Sequence, residues 1–271
     1  MDFLATARRL EAIQAETVRD LASDSEPVAG GWMAANGPGS YLNKAAGIAF
    51  GVEPTEEDVL RIERFFSSRG IEPRVELTAF APVGFLRLLA EHGFVLQEFE
   101  HTLVLSLEEA GDLTRWAVAL APGIRIQALD PTDAQQLRAF VETSASGFLP
   151  EGASLPDTYL DTGLKAAREP DHHGFLATVD GVVAGAAGSS LRRGVMSLFG
   201  ASVRPAFRRR GIQQALIAAR LERARSLGAD LASVTSHPGI PTERNAARFG
   251  FQLAYVRAVL VKRGPGLVPS P

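Results

Sequence analysis

The chain has 271 residues and not one is cysteine. That excludes disulfide bonds, thiol nucleophiles and Cys-ligated zinc, and it fits a cytoplasmic location, where thiols are kept reduced. An excess of one charge is also missing. Lys and Arg number 28 against 31 Asp and Glu, a net charge of -3, so the basic profile of a nucleic-acid binder is absent. No apolar run reaches the ~18 residues that span a bilayer. Arg8, Arg9 and Glu11 sit inside an amphipathic pattern at the N-terminus, which is not the pattern of a signal peptide. Neither a nucleic-acid nor a membrane partner is expected. The glycine-rich run 30–39 lacks the Gly-Lys-Ser/Thr ending of a phosphate loop, and no Gly-x-Ser-x-Gly elbow occurs. His172 and His173 are adjacent, so on a strand they face opposite sides and share no metal; no metal is expected. Trp32 and Trp116, the two tryptophans, read as packing residues.

What is present centres on residues 198–214, LFGASVRPAFRRRGIQQ. A strand-like run ends at Val203. A loop with Pro205 and three arginines follows, then Gly211 and a helix from Ile212. A helix start presents N–H groups with no intrahelical partner, and its dipole favours anions. Guanidinium forks match phosphate oxygens, and a glycine lets a ligand approach the backbone. Gly200 fits a bulge that frees strand backbone groups. The unit is suited to a phosphorylated ligand.

This unit resembles the acetyl-CoA loop of the GNAT N-acetyltransferase superfamily. The family pattern Gln/Arg-x-x-Gly-x-Gly/Ala is met at Arg208 and Gly211, while Gln213 replaces the last small residue. The order of elements over 123–263 resembles the family as well. The resemblance implies acetyl-CoA as co-substrate and transfer of its acetyl group to a primary amine, on a small molecule or a protein, by direct attack. It implies that the main chain of Ala201, Ser202 and Val203 binds the pantetheine arm. The pyrophosphate falls to Arg209, Arg210, Gly211, Ile212, Gln213 and Gln214, with Arg208 at the first motif position. Asn245 is implied as a contact to the pantetheine or adenosine. The family often has a tyrosine four residues before a Gly-Phe pair, which protonates the departing thiolate; here that position is Ala246. Thr242, Asn245 and Tyr255 are its neighbours in sequence, and no residue is assigned to catalysis. Two alternatives follow: a non-catalytic acetyl-CoA sensor or regulatory protein, or a structural pair of inactive domains.

Along the chain, apolar spacing predicts a helix over 2–22, a break at 23–27, and strands over 28–35 and 42–50. It predicts a helix from 54 closed by Gly70, a strand over 74–80, a helix over 83–91 and a strand over 94–107. After a linker come a strand from 124, helices from 133 and 158, a hairpin over 175–189 turning at Asp180-Gly181, and a strand over 195–203. A helix over 212–227 places Ile212, Leu216, Ala219 and Arg223 on one side. A strand over 230–236, a helix over 242–249 and a strand over 251–262 complete the pattern. The loops within 145–171 are where acceptor specificity is expected.

The halves also repeat. Gly93-Phe94 recurs as Gly250-Phe251, 157 residues on, and at that shift Leu96, Leu103 and Val104 fall on Leu253, Leu260 and Val261. The expected fold is α/β (α+β by strict label) with two GNAT-like domains, each a central mixed sheet flanked by helices. Residues 1–110 form a degenerate copy, 111–122 a linker, 123–263 the acetyltransferase domain and 264–271 a frayed tail. At the same shift the arginine loop falls on Gly51-Val52-Glu53-Pro54, beside Glu56, Glu57 and Asp58. Four carboxylates repel a pyrophosphate, so the first copy is expected to bind no CoA.

Overall fold

A computed structural model describes residues 2–116, 119–149 and 154–270. Residues 117–118 of the expected linker, 150–153 of the expected specificity loop and the last residue of the tail lie outside them.

The chain runs α1 (Phe3–Leu21), β1 (Asp24–Val28), β2 (Gly31–Ala35), β3 (Lys44–Ala46), α2 (Glu56–Ser67), β4 (Arg74–Thr78), α3 (Val83–Glu91) and β5 (Val95–Ser106). It continues with β6 (Ile124–Ala128), α4 (Ala134–Ala145), α5 (Asp157–Ala166), β7 (Phe175–Val179), β8 (Val182–Arg192) and β9 (Val195–Val203). Last come α6 (Ile212–Ser226), β10 (Leu231–Ser236), α7 (Pro241–Arg248) and β11 (Gln252–Val261). The 157-residue repeat holds in these bounds: it carries β4 onto β10, α3 onto α7 and β5 onto β11, each within a residue or two at either end.

Packing divides the chain into two compact units, and these are not two contiguous segments. One holds the chain to Thr102, Ser236–Pro238 and the chain from Leu253; the other holds Leu103–Thr235 and Gly239–Gln252. The last strand, β11, therefore packs in the first unit, while β5 ends in the second.

In the first unit the strand order is β1-β2-β3-β4-β11-β5. β11 runs antiparallel to β4, with Val259 opposite Glu76 and Arg257 opposite Thr78. One face is apolar: Val75, Leu77 and Leu260 pack with Val59, Ile62 and Phe66 of α2 and Phe85 and Leu89 of α3. The other face carries charge. Arg257 donates to Glu11 of α1 (2.8 Å) and Glu100 (3.0 Å), and lies 3.6 Å from Glu76. Lys44 reaches Glu76 at 2.7 Å. Burial alone pushes the Glu76 carboxyl up, but Lys44, Arg257 and Arg74 outweigh it and hold it down, to about 2. A depressed carboxyl stabilises the fold above its unfolded value of 4.5, and that share is lost as pH falls toward 2. We expect Glu76→Gln to cost about 3 kcal/mol at pH 7 and far less near pH 2.5, measured by urea unfolding at each pH.

In the second unit the order is β5-β10-β9-β8-β7-β6. β6 to β9 are antiparallel neighbours, and β10 pairs parallel to β9. Side chains alternate between two layers, as a strand requires. Leu176 and Ala186 face Leu137, Phe140 and Val141 of α4. Ala177, Val179 and Ala187 face Ile212 and Leu216 of α6. Asp180 (φ 49°) and Gly181 (φ 83°) make the expected two-residue hairpin turn.

Several expectations are corrected. Residues 24–28 are not a break but strand β1, which hairpins onto β2. The strand expected over 42–50 shrinks to Lys44–Ala46. The tail is not frayed: Val268 bridges Ile71, and Glu72 N–H donates to the Val268 carbonyl at 3.0 Å. The buried side of α6 carries Ile212, Leu216, Arg220 and Ala224, not Ala219 and Arg223.

Candidate functional site

The site grows from the ends of β9. Its parallel ladder with β10 runs from Val195 opposite Leu231 to Leu198 opposite Val234. Beyond Leu198, β9 continues to Val203 against β8. The register with β8 then slips: Gly188 faces Phe199, but Ala186 faces Ser202, so β9 holds one extra residue. Gly200 takes φ 57° at that point, the left-handed value glycine tolerates. Ala201, Ser202 and Val203 therefore lie on a bulged strand end that has parted from β10, and such a bulge leaves backbone groups outside the ladder. Ser202 faces the end of α4, where its Oγ lies 3.2 Å from Ser146 Oγ.

The chain leaves β9 through a 3-10 turn, Pro205–Phe207, into the arginines. Arg208 Nε donates back to the Val203 carbonyl at 3.2 Å, tying the loop to the strand. Arg209 (φ 62°) and Gly211 (φ 76°) are both left-handed, and a non-glycine residue in that region stores about 1 kcal/mol or more. Arg209 and Arg210 are exposed, and the Arg210 guanidinium stands 5.6 Å from the Phe207 ring centre. Gly211 caps α6 with no side-chain hydrogen bond. Among the described residues, the first-turn N–H groups of Ile212, Gln213 and Gln214 thus meet no capping oxygen. Ile212 is buried; Gln213 and Gln214 are half-buried.

The corresponding helix start of the first copy is closed. Thr55 caps α2 and accepts from Asp58 N–H, while Asp58 reaches back to the Thr55 N–H at 2.9 Å. That capping box satisfies two of the donors at this helix start, the N–H groups of Thr55 and Asp58, from within, and Glu56 and Glu57 add like charge beside it.

The remaining sequence candidates are scattered. Asn245 is on α7, where its Oδ1 accepts from Arg248 at 3.3 Å. Ala246 is buried in the core with Phe249 and Phe251. Tyr255 lies in the first unit and donates to Glu11 at 2.7 Å. Burial, then the Glu11 carboxylate, push its phenol pKa up, which makes it a poor proton donor. Trp116 packs on Phe249 at 5.5 Å, as a packing residue should.

Of two residues near the bulge, sequence reasoning weighs His172 only as a metal ligand and passes over Arg220. His172 is wedged between the rings of Phe140 (5.4 Å) and Phe199 (5.8 Å), and burial drives its pKa down, to about 4. Arg220 is buried on α6. The available signal was spacing: Arg220 follows Ile212 and Leu216 at intervals of four. Among the described residues, no group of three or more His, Cys, Asp or Glu is placed to hold a metal, and no helix is long and apolar enough to cross a membrane.

A family model matches the part of the chain that carries this geometry. Residues 137–251 match the model of the acetyltransferase (GNAT) family. No curated protein matches the sequence. Among solved structures, a GCN5-related N-acetyltransferase from Kribbella flavida aligns over 96% of this chain and 97% of its own, at 21% identity and a TM-score of 0.72. A tandem GNAT protein from the clavulanic acid biosynthesis pathway aligns over 97% of this chain and 96% of its own, at 13% identity and a TM-score of 0.64. A functionally unknown conserved protein from Staphylococcus epidermidis aligns over 93% of this chain and 99% of its own, at 13% identity and a TM-score of 0.60. Identities this low bear on the fold: both halves of the chain follow the tandem architecture, although the family model covers only part of the second.

Proposed function

Since residues 137–251 make the second half of this chain a member of the GNAT acetyltransferase family, we propose that this half transfers an acetyl group from acetyl-CoA to a primary amine, on a small molecule or a protein. The observation that carries the reading is the continuity of a parted strand end, an arginine loop and an uncapped helix start over residues 199–214. In it, the backbone of Ala201, Ser202 and Val203 binds the pantetheine arm. Arg209, Arg210 and the N–H groups from Gly211 to Gln214 hold the pyrophosphate, with Arg208 bracing the loop. Asn245 contributes from α7. The cofactor supplies the acetyl thioester. A backbone N–H of the bulged strand polarises its carbonyl, and the loop fixes its position. The acceptor nitrogen attacks directly to form the C–N bond, the C–S bond breaks, CoA leaves as a thiolate that ends as the thiol with the proton the nitrogen gives up, and no covalent enzyme intermediate forms.

The same reading divides the chain by origin into copies 1–110 and 123–263 joined by 111–122, acting in the cytoplasm. The first copy binds no CoA, because the Thr55–Asp58 box closes its helix start. We expect calorimetric titration to give one CoA per chain, and thiol release from acetyl-CoA to accelerate with a member of an amine panel. A stoichiometry of two would overturn the role given to the first copy. A second reading is a cofactor-binding regulator that does not turn over. It is favoured by Ala246 at the family's tyrosine position and by the commitment of Tyr255 to Glu11. Tight binding with no acetylation across the panel would select it.

A further inference from the structure

Arg220 lies mid-helix on the face of α6 that packs on the sheet, with 3% of its surface exposed. Its neighbours on that face, Leu216, Leu221 and Ala224, are apolar. Nε donates to the Leu216 carbonyl (3.0 Å), and Nη1 donates to the carbonyls of Gly188 (3.0 Å) and, more weakly, Phe199 (3.5 Å). Among the described residues no carboxylate comes within ion-pair distance of it. Burial pushes its pKa down, to about 9. A buried guanidinium facing only neutral carbonyls is an expensive choice for a slot that methionine or leucine would fill. Stability therefore does not explain it, but the landing points of its donors do. Gly188 and Phe199 are the cross-strand pair at which the β8–β9 register slips, one residue before Gly200. From the opposite layer the Phe199 ring closes on Gly188 so tightly that a Cβ there would meet it at 2.7 Å. The edge of the bulge is thus gripped from both faces.

We propose that Arg220 is a positioning residue for cofactor binding: it holds the β9 bulge in the form that receives the pantetheine arm. The inference rests on the acetyl-CoA reading above. α6 gives it a further consequence. The helix start that meets the pyrophosphate and the guanidinium that grips the bulge are eight residues apart on one rigid rod, about 12 Å. The helix therefore sets the spacing between the two ends of the cofactor.

The test is calorimetric titration of wild type, Arg220→Met and Arg220→Lys with two probes, CoA and its nucleotide end, 3′-phospho-ADP. We expect Arg220→Met to keep the wild-type melting temperature and its affinity for 3′-phospho-ADP, while its CoA affinity falls about 10- to 100-fold, the worth of hydrogen bonds from a charged donor. Arg220→Lys should recover part of the CoA affinity, because it restores the charge without the fork. Wild-type CoA affinity in Arg220→Met, or an equal loss for both probes, would overturn the proposal. Should the Met variant not fold, the Lys variant decides: a loss confined to CoA supports the role, and an equal loss removes it. A wild-type protein that binds neither probe removes the acetyl-CoA reading itself, a different outcome.

Discussion

Acetyl-CoA at 100 times its dissociation constant should raise the melting temperature of the wild-type protein by several degrees, and Arg210→Glu should abolish the shift. A ligand at that excess adds about 2.7 kcal/mol to the folded state, which moves the midpoint of a domain of ~150 residues by several degrees. Arg210 is chosen because its neighbours are compromised as probes. Arg208 is bonded to the Val203 carbonyl, so its loss would disturb the loop itself. Arg209 sits in left-handed backbone, where a substitution also alters strain. Arg210 is exposed on the loop. The substitution also separates two effects by sign. A carboxylate just ahead of α6 is favourable to the helix dipole, by roughly 0.3–1 kcal/mol, so the unliganded variant should melt no lower than wild type. The same carboxylate repels a pyrophosphate. A stable apo variant with no ligand shift places the cofactor on this loop. Equal shifts in the two proteins would mean that the arginine loop is only solvated surface.

The parts of this site that were legible in the sequence are those that local rules specify. β9 ends at Val203, where the apolar run ends, and Gly200 marks the bulge. The helix begins immediately after Gly211. The 157-residue repeat survives because it records spacing between elements. Errors arose where the local pattern was ambiguous or silent. β1 reads as a break because it is a polar edge strand containing Pro27, and only its last residue is buried; edge strands tolerate both features. The buried stripe of α6 steps by four from Ile212 through Leu216 and Arg220 to Ala224, whereas the stripe expected from the sequence turned after Leu216 to Ala219 and Arg223; each carries one arginine, so apolar spacing does not choose between them. The placement of β11 in the first unit was not legible at all. Alternation reveals which side chains share a face, but it does not name the neighbouring strand. Tyr255 and Arg257 share one face of β11 like any strand residues two apart, and only their neighbours, Glu11 of α1, Glu76 of β4 and Glu100 of β5, turn that face into a charged core.

That charged core makes Arg257→Met the substitution with the largest expected cost to the fold. One guanidinium, 3% exposed, serves Glu11, Glu100 and Glu76 at once. Its removal leaves the buried carboxylates to Lys44, Arg74 and the Tyr255 hydroxyl. Breaking a buried ionic contact from one side costs about 3–5 kcal/mol, a large part of the 5–15 kcal/mol typical of a folded domain. The cost should also depend on pH, with a sign that the cause fixes. In wild type the depressed Glu76 carboxyl supplies stability above pH 4.5 that disappears toward pH 2. In the variant Glu76 keeps Lys44 and Arg74 but has one opposing cation fewer, so its carboxyl is held down less and less stability is lost as it protonates. The stability gap between the two proteins should therefore narrow as pH falls from 7 to 3, measured by urea unfolding. The double variant Arg257→Met with Glu11→Leu should recover part of the loss at pH 7, since one stranded charge is gone. A gap that is constant with pH, together with no recovery in the double variant, would mean that Arg257 matters for its packing volume and that its charge is incidental.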